Sequence, residues 1–366
     1  MRIAIDASRT TVSRRTGTET YALQLLRNLL PLGHEHDFDL YFRDMPPEDL
    51  LPLTGNYTQH LIRLRRAWTH VRFAGQLWLH RPAVTWVPAH TLPFAFPGRA
   101  VVTVHDLGYL HFPEAHPPNE RRYLDLTTRY SAWRARLVLA DSWATQNDLV
   151  THYGVAPEKI RVVYPGVDEA LNPVTDPAIL AAMRQRYGLP TRYLLFLGTL
   201  QPRKNIARLV QAFAEWRAQS THQDVALALG GKPGWLFDPA WVEGVENVHL
   251  LGYIDDADLA ALYSGALGLV MPSLYEGFGF PVLEALRCGI PVLCSNTSSL
   301  PELGGEAAIQ VNPLRVDAIA YGIFQLVEDN LVRQELLKHA PGQVARFTWE
   351  AAAWEVLDAL EQAAEP

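Results

Sequence analysis

The 366-residue sequence predicts an α/β protein of two tandem doubly wound domains, each a mainly parallel sheet with helices on both faces. Three observations predict it. The length exceeds one usual hydrophobic core. Short apolar runs alternate with segments of helical period. A Pro- and Gly-rich break at residues 168–190 is followed by a restart of the same alternation.

"RIAIDAS" is the first strand, and "TETYALQLLRNLLPL" the first helix, with Thr18 as its expected N-cap. "FDLYF", "AVTWVPAH" and "AVVTVHDLG" read as strands. "RRYLDLTTRYSAWRA" reads as a helix and "LVLADS" as a strand. "WATQNDLVTHYG" is a helix closed by Gly154, and "IRVVYPGV" a strand. After the break, "RYLLFLGT", "VALALGG", "VHLLGY", "LGLVMPS", "IPVLCSN" and "AIQVNP" are strands. "NIARLVQAFAEWRA", "DADLAALYSGA", "VDAIAYGIFQLVEDN" and the terminal "TWEAAAWEVLDALEQAA" are helices. The expected division is an N-terminal domain over 1–172, joined by the last helix at about 349–366, and a C-terminal domain over 173–348. Ligands of open α/β sheets bind beyond the carboxyl ends of the strands, so a cleft between the domains is the expected site.

The composition excludes several classes. No apolar run of about 18 residues is present, so no membrane-spanning helix is expected. The N-terminus lacks a signal-peptide core. Cys288 and Cys294 are too few for a disulfide framework or a zinc site, which points to a cytoplasmic setting. Net charge is −7, unevenly spread. Residues 1–175 hold 19 Lys+Arg against 17 Asp+Glu, and the remainder 13 against 22. The N-terminal excess is mostly arginine: Arg63, Arg65, Arg66 and Arg72, then Arg121, Arg122, Arg129, Arg134 and Arg136. Solvated helix faces account for such residues, and so does a surface that meets anionic lipid or an anionic acceptor. The density is too low for nucleic-acid binding.

Two segments carry chemistry. In "LGTLQPRKNIARL" a strand ends at Gly198 and a helix begins near Asn205, with Arg203 and Lys204 just before it. Cations there oppose the helix dipole at roughly 0.3–1 kcal/mol each. An anion shared with the helix end, such as a diphosphate, would justify them; solvated surface cations are the plain alternative. In "SLYEGFGFPVLEALRCG", Gly277 and Gly279 let the backbone approach a ligand, and Pro281 suits a first helical turn. Amides there would cradle a phosphate. Glu276 and Glu284 are acceptor-only and suit vicinal hydroxyls. Together these describe a nucleoside diphosphate sugar, with one glutamate on the ribose and the other on the transferred sugar. The plain alternative is helix-terminal charge for Glu284 and a solvated side chain for Glu276.

"EGFGFPVLE" has the E-x7-E pattern of retaining glycosyltransferases, and the chain resembles the glycosyl transferases group 1 family, bacterial mannosyltransferases in particular. "GTLQPRKN", "VVYPGVD", "SSLPELGGEAAIQVNP", "RTGTETYALQLL" and "TVHDL" each resemble family segments, so the likeness runs over nearly the whole chain. It implies the GT-B fold, two Rossmann-like domains facing across a cleft, with the last helix crossing back to the N-terminal domain. It implies that Arg203 and Lys204 neutralise the donor diphosphate, with Glu284 on the ribose and Glu276 on the sugar beside the reacting carbon. Gly277, Phe278, Gly279 and Phe280 form the donor loop. Gly198 closes the strand before the cations. His105 touches the sugar from the N-terminal domain, unless it is a strand-end histidine bonded to Asp106. Gly17 lines the first loop, although "RTGTET" has fewer glycines than the common family form.

No Asp-x-Asp motif stands at a strand end, so no metal cofactor is expected. The cations and helix dipoles would stabilise the leaving group instead. With both glutamates assigned to hydroxyls, a front-face route fits better than a glycosyl-enzyme. The resemblance implies transfer of a hexose to a glycan or lipid-linked acceptor, cytoplasmic or at the inner membrane face. GDP-mannose is the first expectation, and UDP-glucose or sucrose-type synthesis the second. A non-catalytic nucleotide-sugar-binding partner is the reading from another class. No pyridoxal-phosphate lysine motif supports a phosphorylase.

Overall fold

The computed structural model describes residues 1–12, 16–64 and 66–365. The chain forms two compact units. Unit 1 comprises Met1–Leu110, Pro117–Gly166 and Phe347–Pro366; unit 2 comprises His111–His116 and Val167–Arg346. The boundary expected between 172 and 173 therefore falls at Gly166/Val167, and the return begins at Phe347 rather than 349.

Unit 1 has β1 (Arg2–Asp6), α1 (Gly17–Leu32), β2 (Asp37–Phe42), β3 (Tyr57–Leu61), α2 (Ala74–His80), β4 (Val84–Val87) and β5 (Arg99–Val104). α3 (Gly108–His111), α4 (Pro118–Arg134), β6 (Leu137–Ala140), α5 (Trp143–Tyr153) and β7 (Ile160–Val162) follow. Its sheet runs β3-β2-β1-β4-β5-β6-β7, with every pairing parallel. Buried Trp86, Tyr41, Phe73 and the valines of β5 fill its core. β4 and β6 are buried along their whole length, as parallel strands covered on both faces must be.

Unit 2 has α6 (Pro177–Tyr187), β8 (Tyr193–Leu197), α7 (Ile206–Gln219), β9 (Ala226–Gly230), β10 (Val248–Gly252), α8 (Asp256–Ser264), β11 (Gly268–Met271) and α9 (Phe280–Arg287). β12 (Val292–Ser295), α10 (Leu300–Gly304), β13 (Ala308–Val311), α11 (Val316–Glu328) and α12 (Asn330–Val344) complete it. Its parallel sheet has the order β10-β9-β8-β11-β12-β13. The last helix, α13 (Trp349–Ala364), packs in unit 1 on α1, β4, β5 and β6. Gly166 makes room for its start, since a Cβ there would lie 2.2 Å from the Trp349 amide nitrogen.

The short helices α2, α3 and α10 were not expected from the sequence, and four other elements differ from expectation for reasons the structure shows. α6 lies inside the expected linker. Asp176 caps it through the Ala178 amide and Gly188 ends it at φ +62°, so the Pro and Gly there punctuate a helix rather than replace one. β3, "YTQHL", pairs only with β2 and is half exposed, so it lacks an apolar run. α12 carries Pro341 and four buried residues, too weak a stripe to read. α1 is capped by Thr16 rather than Thr18, and the Thr16 amide donates to Glu19 Oε2 at 3.0 Å in a capping box.

Candidate active site

In unit 2 the strand order reverses between β8 and β11, the place where open α/β sheets bind ligands. The segments leaving these two strands meet. After β8 comes a short 3₁₀ turn, Pro202–Lys204, and then Asn205 in the left-handed region at φ +62°. Such a conformation is costly for a residue with a side chain, and this one is held from two sides. Asn205 Nδ2 donates to the carbonyls of Pro272, at 3.0 Å, and Pro313, at 2.7 Å. The turn is thereby pinned to the end of β11.

That pinning aims Arg203 and Lys204 at one carboxylate. Lys204 Nζ lies 2.5 Å from Glu276 Oε1, and Arg203 Nη1 lies 2.8 Å from Glu276 Oε2. Arg203 Nη1 also donates to the Tyr275 carbonyl at 2.7 Å. The Glu276 side chain is 6% exposed, that of Lys204 11% and that of Arg203 19%. Burial pushes the Glu276 carboxyl up, but Lys204 and then Arg203 pull it below its ordinary value, so it is ionised. Gly198 sits beside this group: a Cβ there would be 3.7 Å from Lys204 Nζ. The sequence paired the two cations with an external anion and gave Glu276 to the solvent or to sugar hydroxyls. The structure adds an internal partner for all three.

Residues 276–280 form a clamped loop. The Glu276 amide donates to Ser298 Oγ at 2.9 Å, and Ser299 Oγ donates to the carbonyls of Glu276, at 3.0 Å, and Phe278. Ser298 has φ +54°, a second left-handed residue at the same place. Gly277 lies between the clamped positions. Phe278 is buried, and its ring meets that of half-buried Phe280 edge-on at 5.0 Å. Gly279 has φ +122°, and a Cβ there would come within 2.7 Å of Leu300 Cδ2. It therefore must be glycine, and Pro281 follows in the first turn of α9.

Glu284 stands one helical turn further along α9. Buried Tyr263, from α8, donates its hydroxyl to Glu284 Oε2 at 2.6 Å. Burial pushes the Glu284 carboxyl up, Asp168 and Asp256 add to this, and the Tyr263 hydrogen bond works against it, leaving a value of about 7. The two glutamates thus differ: Glu276 is a fixed anion, whereas Glu284 exchanges its proton near neutrality.

In unit 1, Gly17 is the first residue of α1, directly after the Thr16 cap; residues 13–15 of that loop lie outside the described ones. His105 follows β5 and is buried. Its Nδ1 lies 2.7 Å from Asp141 Oδ2, and its Nε2 lies 3.2 Å from the Pro88 carbonyl. The short carboxylate contact of His105 is to Asp141, while Asp106, next in sequence, adds a weaker charge interaction. Asp106 Oδ1 accepts instead from the Gly108 amide at 2.8 Å. An acceptor stands at each ring nitrogen, which favours the protonated ring. Burial would push its pKa down, but Asp141 and the Pro88 carbonyl reverse the direction. Asp141, Tyr263, Asn205, Ser298 and Ser299 were missed. The serine pair and Asn205 lay in segments singled out in the sequence, but a left-handed backbone at Ser298 leaves no mark in residue type.

Family models match the two parts of the chain: "Glycosyltransferase Family 4" over 15–171 and "Glycosyl transferases group 1" over 182–343. The O-antigen chain mannosyltransferase B of Escherichia coli is 32% identical, over 94% of this chain and 96% of its own length. Sucrose-phosphate synthase from Thermosynechococcus elongatus superposes with a TM-score of 0.72 at 23% identity, covering 99% of this chain and 98% of that one. Anabaena HepE in complex with UDP-glucose gives 0.73 at 18%, covering 99% and 100%. These solved structures share the GT-B fold with this chain.

Proposed function

The chain belongs to the group 1 glycosyltransferases, and on that premise we propose that it moves mannose from GDP-mannose to a glycan or lipid-linked acceptor in polysaccharide assembly. The setting is cytoplasmic, peripheral to an anionic membrane face. The observation that carries the reading is the convergence of Arg203 and Lys204 on one buried carboxylate at the switch point of the unit 2 sheet. Two desolvated cations fixed by the backbone are suited to an anionic leaving group. The mannosyl choice leans on the Escherichia coli relative.

In this reading the donor diphosphate binds against Arg203 and Lys204, which already hold Glu276. Glu276 keeps both cations aimed and presents an oxygen to the sugar hydroxyls. Ionised Glu284 accepts the two ribose hydroxyls, with Tyr263 fixing its orientation. The loop 277–280 packs against the sugar and the diphosphate. The bond from the anomeric carbon to the phosphate oxygen breaks, and the nucleoside diphosphate leaves with the electron pair. The acceptor oxygen bonds to the same face of that carbon, and its proton passes to a phosphate oxygen. The configuration is retained. The two side-chain cations neutralise the leaving group, so no divalent metal is called for. His105, with Asp141 and the Pro88 carbonyl as its acceptors, stands at the carboxyl end of the unit 1 sheet, and Gly17 opens α1 of the same unit.

The test is a transfer assay with GDP-mannose, UDP-glucose and ADP-glucose on a polyprenyl-linked glycan acceptor. Turnover with GDP-mannose alone supports the reading. Turnover with UDP-glucose alone replaces mannose by glucose. Binding of a nucleotide sugar without any transfer would favour a non-catalytic partner.

A further inference from the structure

We infer that a row of aromatic rings along α4 binds the acceptor glycan, so that the chain is held over several sugar units and not at its reacting end alone. The inference rests on the glycan acceptor proposed above and assigns its track. The row comprises Tyr123, Tyr130 and Trp133 from α4, Phe94 from the segment after β4, and His70 from the turn before α2. Neighbouring rings meet in sequence. Tyr123 meets His70 edge-on at 6.4 Å, and His70 stacks on Phe94 at 4.3 Å. Phe94 meets Tyr130 edge-on at 5.1 Å, and Tyr130 lies 6.4 Å from Trp133. Trp133 is 74% exposed, Tyr123 48% and Phe94 44%, so the row faces solvent. From Tyr123 to Trp133 the helix rises about 15 Å, longer than one sugar ring.

Polar bonds fix the orientation of these rings. The Tyr130 hydroxyl donates to the Phe94 carbonyl at 2.6 Å. The Phe94 amide donates to His70 Nδ1 at 3.4 Å, which leaves His70 Nε2 to donate to the Tyr123 hydroxyl at 3.1 Å. The segment that carries Phe94 is tied to α4 on both sides of it. The Leu92 amide donates to Ser131 Oγ at 2.8 Å, and Arg134 Nη2 donates to the Gly98 carbonyl at 2.9 Å. Rings held flat in advance lose little freedom when a ligand covers them. Their negative π-faces attract the C–H groups of a pyranose, while the sugar hydroxyls stay in water. An acyl chain needs apolar bulk and gains nothing from ring orientation, so the fixed flat faces favour sugar rings.

The row also has a direction. α4 is the crossover between the parallel strands β5 and β6, so it runs from the carboxyl end of the unit 1 sheet back to the amino end. Just past it, the Arg136 amide donates to the Ala100 carbonyl at the start of β5, at 2.7 Å. Tyr123 is therefore on the side where His105 stands, and Trp133 is at the far end. The row is continuous with the end of the sheet where α/β folds bind ligands. At its far end is a pocket of about 570 Å³, within the usual size of ligand sites, with Arg129, Tyr130, Trp133 and Tyr153 in its wall. A linear chain that enters at Tyr123 reaches this pocket after passing the whole row.

The experiment is calorimetric titration of the full chain with linear α-linked manno-oligosaccharides of rising length, with transfer kinetics on the same acceptors. Wild-type affinity is expected to rise with chain length and to level off once the row is covered. Trp133→Ala should remove the gain of the longest chains over shorter ones, on the order of tenfold, the scale of one aromatic contact. Tyr123→Ala should weaken short and long chains alike. Trp133→Tyr keeps a flat ring and should restore long-chain binding, whereas Trp133→Leu keeps apolar bulk and should not. Melting curves and GDP binding of every variant should match the wild type, which excludes misfolding. Equal wild-type affinity for short and long chains, or Trp133→Leu that binds long chains as the wild type does, would overturn the track. Vesicle binding or a dimer lost in Trp133→Ala, with glycan affinity unchanged, would overturn it too and give the rings to a lipid or to a second copy of this chain. Length-dependent glycan binding without transfer from any donor sinks only the proposed activity, and transfer that ignores chain length sinks only the track.

Discussion

Glu276→Gln tests the centre of the site with one atom changed. Its carboxylate is the partner of two cations that are 11% and 19% exposed. Removing one member of a buried pair typically costs about 3–5 kcal/mol, because the remaining charge is left uncompensated. Glutamine keeps the shape and one acceptor, so the low end, about 3 kcal/mol, is expected. A unit the size of unit 2 shifts its melting temperature by roughly 2–4 °C per kcal/mol, which gives about 6–12 °C. Differential scanning calorimetry reads this directly. Because the Glu276 carboxyl lies below its ordinary 4.5, the wild-type advantage is complete above that pH and shrinks as pH falls through the lowered value. A nucleoside diphosphate restores the missing negative charge, so it should stabilise the variant more than the wild type. An unchanged melting temperature at pH 7 would refute the reasoning, since the cations could not then be buried against Glu276.

Four further outcomes follow from the geometry. Lys204→Ala should lower kcat about 10²–10³-fold, the usual loss on removing one group that stabilises developing charge, in a steady-state transfer assay. Because Glu284 exchanges its proton at about 7, donor KM should fall as pH rises through 7 and level off above it. Tyr263→Phe should move that inflection upward, and Glu284→Gln should remove it. Gly279→Ala should distort the loop at Leu300 and weaken donor binding by calorimetry, with little change at unit 1. Transfer should survive EDTA; complete loss restored by magnesium would place a metal in the site.

The fold was legible wherever burial and period agreed. β1, β5, β8 and β11 are apolar runs ended by polar residues, because parallel strands are covered on both faces. β3 escaped because an edge strand needs no such run, and α6 because Pro177 and Gly188 mark a helix start and stop as readily as a linker. At the site, Arg203, Lys204, Glu276 and Glu284 were legible because charge in an apolar segment demands a partner. Their mutual contacts were not. The 72-residue separation of Lys204 and Glu276 is closed by the adjacency of β8 and β11, which sequence does not display. Asp106 was named as the partner of His105 because it is next in sequence. Asp141 is the actual one because β5 and β6 are hydrogen-bonded neighbours with matching carboxyl ends.

The most direct test of the account is a calorimetric titration of GDP-mannose and GDP into the wild type and into Arg203→Ala with Lys204→Ala. The account predicts saturable binding of both ligands to the wild type, lost at least about a hundredfold in the double variant, since each charged hydrogen bond contributes about 1.5–3 kcal/mol. Equal binding to both proteins would show that the diphosphate rests elsewhere and would contradict the account.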